Sequence, residues 1–188
     1  MNTSATGGYI LPDGGAVPND QELEDIFQGL IRGVTGLAGK MVRPRFQTIP
    51  VNMPEVGVDW VAFGIKTQRT DDGPYFDQND EDAEAIRHEE IELALSFYGD
   101  HGQHYARLFI DGTAIPQNIA QLKQHKIKFI GVSQLLTAPD LLNEQYVHRF
   151  DVTATFRRQI KRTYPIKTFQ SFQSFQSFQS FQINLERN

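Results

Sequence analysis

Ile91, Leu93, Leu95 and Phe97 alternate with Glu92, Ala94 and Ser96 inside Glu84–Tyr98. A period of two marks a strand with one buried face, because successive side chains point to opposite sides of a sheet. The run exceeds the usual strand length of roughly 5–6 residues. It therefore predicts a long strand whose apolar face needs a cover.

A candidate cover lies upstream. Leu23, Ile26, Phe27, Leu30, Ile31, Val34 and Leu37 recur at spacings of three and four, an amphipathic helical stripe. Asn19 or Asp20 is positioned to cap it, with Glu22, Glu24 and Asp25 in the first turn, where the helix dipole favours acids. Gly39 is expected to end it. Gly29, Gly33 and Gly36 lie beside the stripe and predict a close backbone approach there, since each glycine costs a helix about 1 kcal/mol against alanine.

Further elements follow. Residues 42–58 carry three prolines and read as an extended, turn-rich connection. Asp59–Arg69 reads as a strand and residues 71–82 as an acidic loop. Gly102–Gly112 reads as a short helix with Tyr105, Leu108 and Phe109 on its apolar side, and Pro116–Gln124 as a turn or short helix. Lys126–Ser133 and Tyr146–Ile160 read as strands. Strands in hairpin or near-hairpin order, not βαβ alternation, predict an α+β domain: a mostly antiparallel sheet flanked by two or three helices. The expected boundaries are an N-terminal arm at 1–19, the α+β domain at 20–168, and a C-terminal strand at 169–188.

Charge is unevenly spread. Asp71–Glu92 holds ten acids and one base, Arg87, whereas Gln145–Lys167 holds six bases and one acid, Asp151. The asymmetry predicts either two solvated faces or two faces with different neighbours. A net charge of −5 argues against nucleic-acid binding by the chain as a whole. With no cysteine, thiol nucleophiles, thiolate metal sites and disulfides are excluded. The first twenty residues show neither a basic run nor an apolar segment, so no signal peptide is expected. No stretch approaches the roughly 18–20 apolar residues of a membrane span, and a soluble chain is expected.

Catalytic signatures fail in detail. GVTGLAGK at 33–40 has Val34 where a phosphate loop needs its first glycine, and Met41 where it needs Ser or Thr. Asp77, Asn79 and Glu81 alternate like calcium ligands, but Asp82 stands in place of the loop glycine and His88 in place of the last glutamate. His101 and His104, beside Asp100, could share a helical face as metal ligands, which makes a small metal-dependent hydrolase the alternative from a different class. No third ligand is evident. The reading is of a non-enzyme without cofactor or metal.

VRPRF (42–46), DWVAFGI (59–65), ARLFIDGTAIPQN (106–118) and HRFDVTATFRRQIKRTYPI (148–166), in this order, resemble the tail-terminator, or neck-terminator, proteins of long-tailed bacteriophages. The resemblance covers roughly residues 20 to 166. It implies a homohexameric ring seated on the last ring of the tail tube, ending tube growth. In contractile phages the ring also meets the sheath. It presents a docking surface to the head connector or adaptor proteins, and DNA passes through its lumen without specific binding. It implies a virion protein of the tail and neck, assembled in the host cytoplasm, and carries over no catalytic residue. Another neck adaptor or tail-tube ring is the nearer alternative.

A cyclic ring repeats one heterologous contact, so each subunit needs two different complementary patches. Asp71, Asp72, Asp77, Asp80, Glu81 and Asp82 are the acidic candidates for an intersubunit or lumen surface, and Arg157, Arg158, Lys161 and Arg162 the basic ones. Acids on a lumen wall would let DNA slide, since each Lys or Arg contact to phosphate adds affinity. Phe172 and Phe178 complete the candidates. They belong to FQSFQSFQSFQSFQ at 169–182, where five phenylalanines recur every third residue. In an extended strand that spacing puts Phe169, Phe175 and Phe181 on one face and Phe172 and Phe178 on the other, so both faces need covering. A loose repeat expansion is the other reading. The strand-like INLE at 183–186 favours an ordered strand at an intersubunit or tube contact.

Overall fold

The structure is a computed structural model and describes residues 6–166 except 16, 48–51, 80, 81, 143 and 144. The Phe repeat, with Phe172 and Phe178, lies outside the described residues, as do Asp80 and Glu81. Three helices are described: α1 (Asp20–Thr35), α2 (Gly102–Thr113) and α3 (Pro116–Ala120). Short 3₁₀ turns span Gly39–Met41 and Gln121–His125. The strands are β1 (Val42–Pro44), β2 (Trp60–Thr70), β3 (Tyr75–Gln78), β4 (Ala83–Tyr98), β5 (Ile127–Val132), β6 (Leu136–Thr137), β7 (Asp140–Leu142), β8 (Gln145–Val147) and β9 (Arg149–Tyr164).

Among the described residues the main sheet runs β1-β2-β4-β9-β5, with β3 paired to β4 and β6 to β9; β7 and β8 form a separate hairpin. The β1–β2 pair is parallel, whereas β2–β4, β3–β4, β5–β9 and β6–β9 are antiparallel. The expected α+β class is thus the observed one. The described residues fall into two compact units: those within 16–74 and 87–160, and those within 6–15, 75–86 and 161–166.

In the larger unit the two periodicities found in the sequence meet. Leu23, Phe27, Leu30 and Ile31 of α1 are buried, as are Ile91, Leu93, Leu95 and Phe97 of β4, and all belong to one apolar cluster with Val61, Phe63, Phe109 and Phe156. Phe156 packs its ring 4.9 Å from that of Phe27 and 5.6 Å from that of Phe129. The other sheet face carries a smaller cluster of Trp60, Tyr98 and Val147. Trp60 and Tyr98 face each other in the β2–β4 register and stack at 4.5 Å with planes 9° apart.

Helix α1 ends at Thr35, not at Gly39: Gly36 takes the left-handed conformation (φ 74°) and donates its N–H to the carbonyl of Arg32. The close approach expected at Gly29, Gly33 and Gly36 is made elsewhere. A Cβ on any of these three would meet nothing within 4 Å, whereas one on Gly112 of α2 would come 2.8 Å from the Cβ of Val34. Gly112 therefore lets α1 and α2 touch.

The turn from β4 to α2 depends on Gly99. Its φ is +101°, and a Cβ there would lie 2.5 Å from both the Asp59 carboxylate and the Val58 carbonyl. Gly99→Ala is expected to cost about 2–3 kcal/mol, a fall in Tm of roughly 5–10 °C. An unchanged thermal melt would contradict this.

The smaller unit contains a hairpin within the segment expected to be a loop. Tyr75–Gln78 pairs with Ala83–Ile86, and the connecting turn is closed by the Asn79 N–H on the Asp82 carbonyl at 3.0 Å and by the Asp82 N–H on the Asn79 side-chain oxygen at 2.9 Å. In the same unit Asp13 donates its N–H to the carbonyl of Thr163, and Thr163 donates its N–H to Gly14, at 3.0 and 3.1 Å.

Candidate functional site

The acid-rich and base-rich segments are partners inside one subunit. Strands β4 and β9 are sheet neighbours, which brings opposite charges together. In the larger unit Arg157 meets Asp71 at 3.2 Å and Arg158 meets Glu89 at 2.5 Å. In the smaller one Lys161 meets Glu84 at 2.5 Å. Asp71 also faces the His88 ring at 3.7 Å.

Arg158 is buried together with Glu89. It donates further to the Pro18 carbonyl at 2.5 Å and to the Asn19 side chain at 3.3 Å, tying the approach to α1 onto β9. Its charge is spent within the subunit, so it offers no surface for a neighbour. The sequence signal for this was absent, since nothing local says that Glu89 lies across from it. Arg157 and Asp71 are exposed and border a small polar hollow with Asp72 and Glu90. Asp72 and Asp77 are exposed, Asp82 and Arg162 are half-buried, and none of these four pairs with an opposite charge among the described residues.

The proposed histidine pair is not assembled. His101 precedes α2 and binds Asp59 through both its ring Nδ1 (2.9 Å) and its backbone N–H (2.7 Å). His104 turns its ring edge-on to Tyr105. Among the described residues no group of three or more His, Cys, Asp or Glu is placed to hold a metal ion. No helix among them is long and apolar enough to cross a membrane.

A site not singled out from sequence lies on the outer sheet face. A cavity of about 500 Å³ is bordered by Arg43 and Arg45 at the end of β1, by Trp60, Ser96 and Tyr98, and by Arg149 and Asp151 of β9. Strand alternation puts these residues opposite Val61, Phe97 and Val152 of the main core. Arg45 donates to the Ser96 hydroxyl at 2.5 Å, and Ser96 donates in turn to Asp151. Arg149 forks between Asp140 at 2.9 Å and Asp151 at 3.1 Å, while its Nε is buried without a partner. Burial pulls the Arg149 pKa down, but Asp151, with Tyr98 and Asp140, outweighs it and leaves the pKa raised. The guanidinium of Arg43 sits 5.9 Å from the centre of the Trp60 ring, within cation–π range. Among the described residues neither Arg43 nor Arg45 has a carboxylate partner.

The cavity sets one hydroxyl on a carboxylate, Ser96 on Asp151, and among the described residues it holds no metal cluster. The family model for phage neck terminator proteins matches residues 21–179, most of the chain. The chain belongs to the phage neck terminator family. That family is structural, and it places the protein in the neck of the phage tail among other tail and head proteins. No curated protein matches the chain. The match spans α1 through β9, so the cavity and both charged strands lie within it.

Proposed function

We propose that the protein caps the phage tail tube at the head–tail junction as a homohexameric ring. It ends tube polymerisation and offers the docking surface for the head connector, while DNA passes through its lumen. The observation that carries this reading is the family match over residues 21–179. The α+β domain of residues 20–168 forms the ring body, with the segment 1–19 as an arm. The Phe repeat, including Phe172 and Phe178, supplies a strand that meets a neighbour or the tube. Two kinds of charge remain for contacts after the internal pairs among the described residues are subtracted: Asp72, Asp77 and Asp82, and Arg43, Arg45 and Arg162.

Complementation in extracts tests the reading. Purified protein added to a lysate lacking it, with heads and tails both present, is expected to restore infectious particles by several orders of magnitude. Addition to tails before heads should succeed, and addition to heads alone should not protect them. No recovery in any order would contradict a terminator at this junction.

A further inference from the structure

We infer that the outer-face cavity receives the β3 edge of a second copy of this chain, with Asp77 of one subunit seated on Arg43 and Arg45 of the next. The inference rests on the ring reading above and names the contact that would close the ring. Two sets of observations meet here, one on each side of the contact.

Among the described residues the β3 edge lacks cover: all four residues of Tyr75–Gln78 are exposed, and the strand pairs with β4 alone. Tyr75 is 68% and Phe76 51% exposed, although adjacent residues point to opposite faces of a strand. Aromatic side chains bare on both faces of an edge strand mark a contact surface, because free edges otherwise invite unspecific pairing. Asp77 follows them directly and has no basic partner among the described residues.

The cavity offers what that edge lacks. Arg43 and Arg45 are its two guanidiniums without carboxylates, placed beside the Trp60–Tyr98 stack. Arginine and aromatic groups are the residue types enriched at the centres of protein interfaces. Arg149 is held by two carboxylates and frames the site, whereas Arg43 donates only to the uncharged carbonyls of Lys40 and Asn52 and Arg45 only to the Ser96 hydroxyl, so these two charges are the ones open to a carboxylate. A carboxylate that directly follows two exposed aromatic residues meets both needs. The two patches are different, as a heterologous ring contact requires.

The chain has no cysteine, so a designed pair reports without background. Gln47→Cys borders the cavity, Gln78→Cys lies beside Asp77, and both positions are exposed. Particles carrying the double variant are treated with a short bismaleimide and probed by immunoblot. The expected result is a ladder of covalent multimers, absent from either single variant. Adding Arg45→Glu should reduce the ladder about tenfold, and adding Asp77→Arg to that variant should restore it. Monomer alone, with the protein present in the particles, overturns the contact and leaves the terminator reading standing. A ladder indifferent to Arg45→Glu overturns the charge pairing. Absence of the protein from particles overturns the terminator reading itself, and the contact with it.

Discussion

Glu89→Ala is expected to destabilise the fold by about 3–5 kcal/mol, a fall in Tm of roughly 10 °C. The reason is not the strength of the pair that is lost. Glu89 and Arg158 have side chains only 7% and 4% exposed, so removing the carboxylate strands a guanidinium away from water. The contacts of Arg158 to Pro18 and Asn19 do not neutralise it, because both acceptors are uncharged. Replacing both charges, as in Glu89→Leu with Arg158→Met, should therefore be less damaging than Glu89→Ala alone. Non-additivity of that sign is the diagnostic, measured by thermal or urea melts of the single and double variants. A double variant less stable than Glu89→Ala would show that the orphaned charge is not the dominant cost.

Phe156→Ala should cost about as much, 3–5 kcal/mol by the range known for buried aromatics (roughly). The mechanism differs. Phe156 is fully buried and bridges three elements, with Phe27 of α1 and Phe129 of β5 against its ring. Truncation leaves a cavity where the helix layer meets the sheet, and neighbours held on separate elements close it poorly. Phe156→Leu should retain part of the loss, since it restores most of the volume without the ring contacts. The urea midpoint should fall while the m-value stays close to that of the parent, because the surface exposed on unfolding is nearly unchanged. A Phe156→Ala variant with the parent midpoint would contradict the placement of this residue at the centre of the core.

The parts of the fold legible in the sequence are those set by a repeated buried face. The stripe from Leu23 to Ile31 and the alternation from Ile91 to Phe97 each announce their element, because burial of one side dictates the spacing. The β3 strand did not, since its residues are all exposed and no alternation is imposed on them. Its acids made it look like a solvated loop. The end of α1 was misplaced because Gly36 and Gly39 are both credible stops, and only the backbone decides between them. The glycines of α1 promised a close contact that Gly112 makes instead; sequence reports which residues are small, not which helix approaches them.

The candidate site was less legible still. The opposing charge runs were plain, but sequence cannot say that β4 and β9 lie side by side and spend much of that charge on each other. Arg158 read as a surface base for the same reason. The cavity joins residues from positions 43 to 151, and its nearest sequence signal was the pair of arginines in VRPRF. Tyr98 and Ser96 sit on the strand face that alternation marks as polar, yet both are buried, Tyr98 in a small cluster with Trp60 and Val147. One face of a sheet can be read from spacing, while a small cluster on the other needs the strand neighbours.

The most direct test of the central claim is electron microscopy of a lysate from phage lacking this gene, with tail lengths measured. A terminator at the tube end predicts filled heads beside headless tails of abnormal, extended length, and parental particles on complementation in trans. Intact virions with tails of ordinary length, joined to their heads, would contradict it.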